Sequence, residues 1–273
     1  MKKHFCRCLV LMLMAPFFLP PSVIAQRYPV SDAAAYILGK LVDHDIVFIG
    51  TVHQQPRILR LMADVLPRLK ENGVTHLALE IASDQQGRID RFMRTGYGLD
   101  GIRLHPAIDC PGYRHLLRVL RQLDPERRPR IVAIDLPLSQ YDGAMSRNEY
   151  MAIRLASIVQ SHDQSQCGVK ILSMLGGSHV LRKLNWQNRL FKGRAAIRTY
   201  LEQWHPELRM FSLMLIVDQM AKDCDFSRRL SVLKGTVALD LDHRFKGWRM
   251  GVTACMALAP SQPYELVDGV IVY

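Results

Sequence analysis

The sequence predicts an α/β fold, with a largely parallel central sheet and helices on both faces. Short apolar runs of strand length alternate with segments whose apolar residues recur at helical spacing, as in 45–50 followed by 57–70. Several of these runs end in a polar side chain. Because ligands of open α/β sheets bind beyond the carboxyl ends of the strands, we expect the functional rim there. A length of 273 residues and a hydrophobic content of 49% suit one such domain.

The first 25 residues have the pattern of a secretory signal peptide. Three basic residues precede an apolar run at 8–19, and small residues lead up to Ala25. The run is too short to span a bilayer comfortably, although an uncleaved anchor is the alternative. We therefore expect a signal peptide at 1–25 and a single domain at 26–273. The product would be a soluble protein, periplasmic or secreted after cleavage at Ala25, with no later transmembrane segment.

The charge balance argues against a nucleic-acid partner. The formal net charge is +11, and loss of the three basic residues of the leader leaves +8. The Arg and Lys residues are scattered among predicted helices and do not form a block, which indicates loose attraction to anionic surfaces or substrates. The expected partner is a small-molecule or peptide substrate, and the sequence predicts no oligomeric state.

Four cysteines remain after the leader, and their spacing matches no zinc motif. In an oxidising compartment they permit three pairings, among which the sequence does not choose. Structural disulfides or buried thiols are the expectation for Cys110, Cys167, Cys224 and Cys255.

The remaining elements follow from the same periodicities and from turn residues. The predicted strands are 45–50, 74–81, 131–134, 169–175, 210–217, 236–241, 252–259 and 267–273. The predicted helices are 57–70, 85–95, 113–123, a helix from Arg147 to 159, 180–190 and 195–201. Ser146 and Glu149 have the spacing of a capping box at the start of the helix at Arg147. The glycine-rich and proline-rich segment 96–111 is predicted to form a flap over the rim.

Four polar residues are each placed at the end of a predicted parallel strand. They are His53, Glu80, Asp135 and His179. Taken singly, each has an ordinary explanation, such as a capping histidine or an acid at a helix start. Since four coincidences are harder to dismiss than one, we expect these side chains to gather at one rim of the sheet.

Arg147 is a fifth candidate because of its place in the first turn of a helix. A cation there opposes the helix dipole and gains nothing locally. That placement is explained if Arg147 pairs with a carboxylate or an anionic substrate, whereas a solvated surface arginine is the commoner case.

Two chemistries suit this set of residues. His53, Glu80 and His179 are donors for a divalent metal that activates a water. The same residues without a metal could act as general base and acid, with a carboxylate orienting the histidine. The segment Gly-Gly-Ser-His-Val180 is not a nucleophile elbow, because valine occupies the place of the last glycine.

The order of the motifs resembles a known superfamily. Gly50-Thr-Val-His53, Leu-Ala-Leu-Glu80, Arg147-Asn-Glu-Tyr-Met, Gly-Gly-Ser-His179 and a closing segment, 264–273, are similar to those that join erythromycin esterases, Tiki metalloproteases, TraB/GumN proteins and ChaN-type haem-binding proteins. The resemblance covers the chain from about residue 45 to its end. It implies an α/β fold with both histidines and the glutamate at the active centre and Arg147 in support.

The branches of this superfamily differ in chemistry. The resemblance implies either a divalent-metal-dependent peptidase, a metal-independent esterase with a histidine base, or a haem binder. Thr51 stands where esterase-like and ChaN-like members have glutamate, a departure that resembles the Tiki and TraB branches.

We expect an exported hydrolase in which His53, Glu80 and His179 activate water against an ester or amide. Asp135 and Arg147 would lie beside them, and manganese, cobalt or zinc would assist. The alternative is a protein that binds haem or an iron compound without catalysis, through Tyr97, Tyr113 or a histidine. Both expectations require the strands 45–50, 74–81 and 169–175 to be neighbours.

Overall fold

The computed structural model describes residues 32–140, 145–162, 168–182, 195–217, 224–230, 235–248, 250 and 263–273. The expected signal peptide and the expected strand 252–259 lie outside these ranges, as does most of the expected helix 180–190. Cys110 and Cys224 are free thiols, whereas Cys167 and Cys255 fall outside the described residues.

Seven strands of the described residues form one sheet. They are β1 Ile46–Thr51, β2 His76–Ala82, β3 Arg130–Asp135, β4 Ile171–Gly176, β5 Met210–Ile216, β6 Val237–Asp240 and β7 Gly269–Val272. Their order across the sheet is β3-β2-β4-β1-β5-β7-β6. All neighbours run parallel except β6, which is antiparallel to β7. The predicted α/β fold with a largely parallel sheet is confirmed.

The helices of the described residues cover both faces of this sheet. They are α1 Ala33–Asp43, α2 Pro56–Val65, α3 Gln86–Thr95, α4 Pro111–Gln122, α5 Arg147–His162, α6 Ile197–Trp204, α7 Asp225–Leu230 and α8 Pro263–Leu266. Apolar residues of α1 to α4 pack against one face, and those of α5 to α7 pack against the other. None of the described helices is both long and apolar enough to cross a bilayer.

Strand β1 shows why the sheet is buried on both sides. Val47 and Ile49 belong to one apolar layer, while Ile46 and Phe48 belong to the other. All four are fully buried, because successive side chains of a strand point to opposite faces. A nearly continuous apolar run is therefore typical of this parallel strand.

One predicted helix is shorter in the structure than its apolar pattern indicates. The helix expected at 57–70 begins at Pro56 and ends at Val65, and a 3-10 turn follows at Leu66–Arg68. Pro67 lacks the N–H that an α-helix would need there.

The prediction that a helix begins at Val180 is wrong. A 3-10 turn spans Gly177–Val180, and Leu181 is extended. Val180 and Leu181 are fully buried in the apolar layer beneath the rim, so their apolar character reflects packing and not helical periodicity.

Candidate functional site

The three strands that carry the histidines and the glutamate are neighbours in the sheet. Strand β4 lies between β2 and β1, and both pairs are parallel. Thr51 is in register with Gly176, and Leu79 with Met174. The carboxyl ends therefore meet at one rim, which confirms the expected adjacency.

Gly176 allows His53 and Glu80 to approach each other across this rim. A Cβ atom added to Gly176 would lie 2.8 Å from Nε2 of His53 and 3.3 Å from Oε2 of Glu80. The first distance is shorter than real Cβ contacts, so a side chain here would displace the His53 ring. The imidazole thus lies directly over the glycine, next to the carboxylate.

Glu80 is the anchored centre of the site. Its Oε1 accepts a hydrogen bond from Nη2 of Arg147 at 2.6 Å, and its Oε2 accepts one from the backbone N–H of Gly176 at 2.5 Å. Nε2 of His179 lies 3.4 Å from Oε1. Burial by itself raises the pKa of Glu80, but His179, Arg147 and the Gly176 N–H outweigh it and hold that pKa well below its usual range. Glu80 is a carboxylate throughout the neutral range.

Arg147 joins Glu80 to Asp135. Its Nε and Nη2 donate to the two carboxylate oxygens of Asp135 at 2.9 and 2.7 Å, which is the bidentate geometry of strong arginine pairs. The backbone N–H of Leu136 also donates to Asp135, at 2.8 Å. The pairing expected for Arg147 is confirmed, and so is its place at the first residue of α5, where Glu149 N–H donates to Ser146 Oγ at 3.0 Å.

His179 has an oxygen acceptor facing each ring nitrogen. Nδ1 lies 2.6 Å from Oδ1 of Asn148, and Nε2 faces Glu80. Because Nδ2 of Asn148 donates to the carbonyl of Ala195 at 3.0 Å, the amide orientation presents an oxygen to the imidazole. The ring of His179 is therefore held in place between Asn148 and Glu80.

The environment of His53 differs from that of His179. It is partly exposed, and burial lowers the pKa of its imidazole below the ordinary value of 6.5. Glu80 opposes that effect, whereas His179, Arg147 and His105 add to it through their positive charge. His53 is therefore neutral at neutral pH and able to accept a proton.

The segment expected to form a flap reaches the rim beside His53. Gln54 has a left-handed backbone conformation, with φ 62°, and its Nε2 donates to the carbonyl of Pro106 at 2.9 Å. His105, on the same segment, accepts the backbone N–H of Ala107 at Nδ1, at 3.1 Å. In the neutral ring this bond leaves the proton on Nε2.

The three predicted metal donors do not fit a metal ion as they are placed. Both oxygens of Glu80 are taken by protein donors, and His179 directs Nε2 at the carboxylate. Among the residues that the structure describes, no group of three or more His, Cys, Asp or Glu side chains is arranged to hold a metal. The expected metal role of His53, Glu80 and His179 has no support in this arrangement.

One of the tyrosines expected for haem is inaccessible. Tyr113 is 5% exposed, and its hydroxyl lies buried without a hydrogen-bond partner in the described part of the chain. The prediction that Tyr113 could bind haem is wrong, because its ring packs into the apolar layer between the sheet and α4. Tyr97, in contrast, is 79% exposed.

Sequence reasoning missed two polar residues of the rim, Asn148 and His105. Asn148 directly follows Arg147 in the capping-box segment, and this position next to a predicted site residue could have identified it. His105 precedes a proline in the expected flap, and the flap's predicted contact with the rim could have identified it.

The fold is similar to several solved structures. A protein from Bacillus cereus has 12% identity over 92% of this chain and 96% of its own, with a TM-score of 0.64. The erythromycin esterase EreC, in its open conformation, has 12% identity over 87% and 92%, with a TM-score of 0.61. ChaN of Campylobacter jejuni, described with cofacially bound haem, has 12% identity over 88% and 91%, with a TM-score of 0.49.

Comparisons with protein-family models and with curated proteins give no match. The likeness to EreC nevertheless covers most of both chains. The chain has an erythromycin esterase-like fold, as the motif order predicted.

Proposed function

We propose that the rim is the active site of a hydrolase that cleaves an ester or amide bond in a small molecule or peptide. The observation that supports it is the contrast of two histidines beside one anchored carboxylate. The pKa of His53 is lowered, so that its ring is neutral, while His179 has an oxygen facing each ring nitrogen and Arg147 binds Glu80. A neutral base close to a fixed positive charge is what acyl hydrolysis requires.

In this proposal His53 takes a proton from a water molecule as that water attacks the substrate carbonyl. The developing negative oxygen is stabilised by positive charge at the rim, which Arg147 supplies. The imidazolium formed on His53 then returns the proton to the leaving alcohol or amine. Glu80 stays ionised throughout and favours the charged form of His53 in the transition state.

A variant of the base tests this mechanism. His53→Gln should reduce kcat/KM for hydrolysis of chromogenic aryl esters and amides by at least about 100-fold, because a general base contributes about that much. The unfolding midpoint should change little. The matched control is His115→Gln, which replaces an exposed histidine of α4 and should retain full activity. Equal activity of the two variants, or no hydrolysis above the background rate by the unaltered protein, would rule out the proposal.

We also propose that the protein is exported and acts after cleavage following Ala25. The support is the leader-like pattern of its first 25 residues. Intact mass of the protein from the periplasmic or culture fraction should correspond to a chain beginning at Gln26. Recovery of the full-length chain in the membrane fraction would contradict export in soluble form.

A further inference from the structure

A groove of about 540 Å³ lies at the end of the sheet opposite the catalytic rim. Its floor includes His76 and Arg130, the first residues of β2 and β3. Glu80 follows His76 by four residues, so the rim is roughly 13 Å away along the strand at about 3.3 Å per residue. The groove is therefore separate from the proposed active site.

Four cationic side chains define this surface, which we call the basic groove: Lys70, Arg94, Arg128 and Arg130. The carboxylate among its described lining residues is Asp90, whose Oδ1 accepts a hydrogen bond from Gln86 at 2.8 Å.

None of the four cations forms an ion pair with a carboxylate of the described residues. Two arginines elsewhere on the surface are paired: Arg127 contacts Glu71, and Arg114 binds Asp109 at 2.8 Å. Uncompensated like charges repel one another when they line one concave surface, and low-dielectric walls focus their field. The groove thus retains a concentrated positive potential.

A hydrogen bond to the backbone holds the side chain of Arg128 in this groove. Its Nη1 donates to the carbonyl of Met93 at 2.9 Å, and its backbone lies next to Pro129. The other guanidinium nitrogens have no acceptor within the described structure. Burial lowers the pKa of Arg128, neighbouring Arg121 adds to the effect, and Asp124 opposes it in part. An arriving anion would relieve that cost, and little side-chain entropy would be lost on binding.

From this geometry we propose that the basic groove binds a phosphate-bearing anion. Several arginines suit phosphate because each guanidinium can bond two of its oxygens. The volume leaves room for more than a bare phosphate group, and Met93, Pro125 and Ile131 provide an apolar wall for the rest of the ligand. The phosphate could belong to a soluble molecule or to a lipid headgroup.

Calorimetric titration with inorganic pyrophosphate, in about 0.15 M salt, tests the proposal. The full chain should bind, and Arg128→Gln and Arg130→Gln should each weaken the affinity at least about tenfold, since each removes a charge-assisted contact. Arg68→Gln is the matched control: it removes one positive charge from an exposed residue outside the groove and should change the affinity less than twofold. Thermal unfolding of each variant verifies that it folds.

Equal losses in all three variants would show that net charge alone is responsible and would overturn the site, as would failure of the unaltered protein to bind. Flotation with phosphatidylglycerol and phosphatidylcholine vesicles distinguishes the source of the phosphate. Binding to phosphatidylglycerol that pyrophosphate displaces supports a lipid headgroup. Pyrophosphate binding without vesicle binding supports a soluble ligand. Hydrolysis at the rim is a separate readout, so either proposal can fail without the other.

Discussion

Two arginine–carboxylate networks of the described residues can be compared, one at the rim and one at the start of β7. At the rim, Arg147 bridges Glu80 and Asp135. At the start of β7, one carboxylate, Asp268, serves two arginines: Arg182 lies 2.9 Å from it, and the buried Arg198 also contacts it. The rim thus has two carboxylates for one arginine, whereas the second network has the reverse.

This difference has chemical consequences. Asp268 also accepts the backbone N–H of Ser212 at 2.7 Å, so its bonds connect the start of β7 to β5 and α6. Its partners are arginines and backbone, which do not exchange protons near neutral pH. The rim network instead faces the imidazole of His53, which can accept a proton near neutral pH. Similar components therefore hold neighbouring elements together at the start of β7 and surround a proton acceptor at the rim.

Loss of Arg147 should have the largest effect. Arg147→Met leaves the buried carboxylates of Glu80 and Asp135 without their shared cation, so we expect the free energy of unfolding to fall by about 3 kcal/mol. Ester hydrolysis should also fall by at least about 100-fold, since the positive charge near the substrate oxygen is removed. Urea unfolding and kcat/KM on the same preparation measure both effects.

Asp268→Asn provides the comparison. It leaves the charge of buried Arg198 without its closest compensation and should destabilise the fold by about 2 kcal/mol, while kcat/KM below the unfolding transition stays within about twofold. Proportional losses of turnover in both variants would contradict the division between a catalytic and a structural network.

The sequence predicted the fold class and the strand ends at the rim more closely than the bounds of the helices. Strand ends could be located because each apolar run gives way to a glycine or a polar residue, and Arg147 could be paired with a carboxylate because a cation in a first helical turn needs compensation. The position of β4 between β2 and β1 depends on long-range packing that local patterns do not record. The extended path at Leu181 was missed for the same reason, since burial in a rim turn and burial on a helix give similar apolar runs.

Acid sensitivity is the next expected effect. The pKa of Glu80 is depressed in the folded protein below its ordinary value of 4.5, so its stabilisation is fully present above that value and is lost as the pH falls below it. Urea unfolding between pH 7 and pH 3 should show stability declining at the acid end. Glu80→Gln should be less stable at pH 7 but should lose less on acidification. If the stability of that variant fell with acidification as much as that of the unaltered protein, Glu80 would not be the cause of the acid sensitivity.

The smallest expected effect concerns His105, and it tests how closely the flap approaches the base. The pKa of His53 is lowered, so the acid limb of kcat/KM should have its midpoint below 6.5, and activity should persist to lower pH than an ordinary histidine base allows. Positive charge on His105 contributes to that lowering.

His105→Gln should therefore move the acid limb upward by less than one pH unit. The shift should shrink in high salt, because His105 is exposed and its field is screened. His115→Gln should leave the limb in place. A downward shift in His105→Gln would mean that His105 does not act on His53 through its charge, even though Gln54 joins their segments at Pro106.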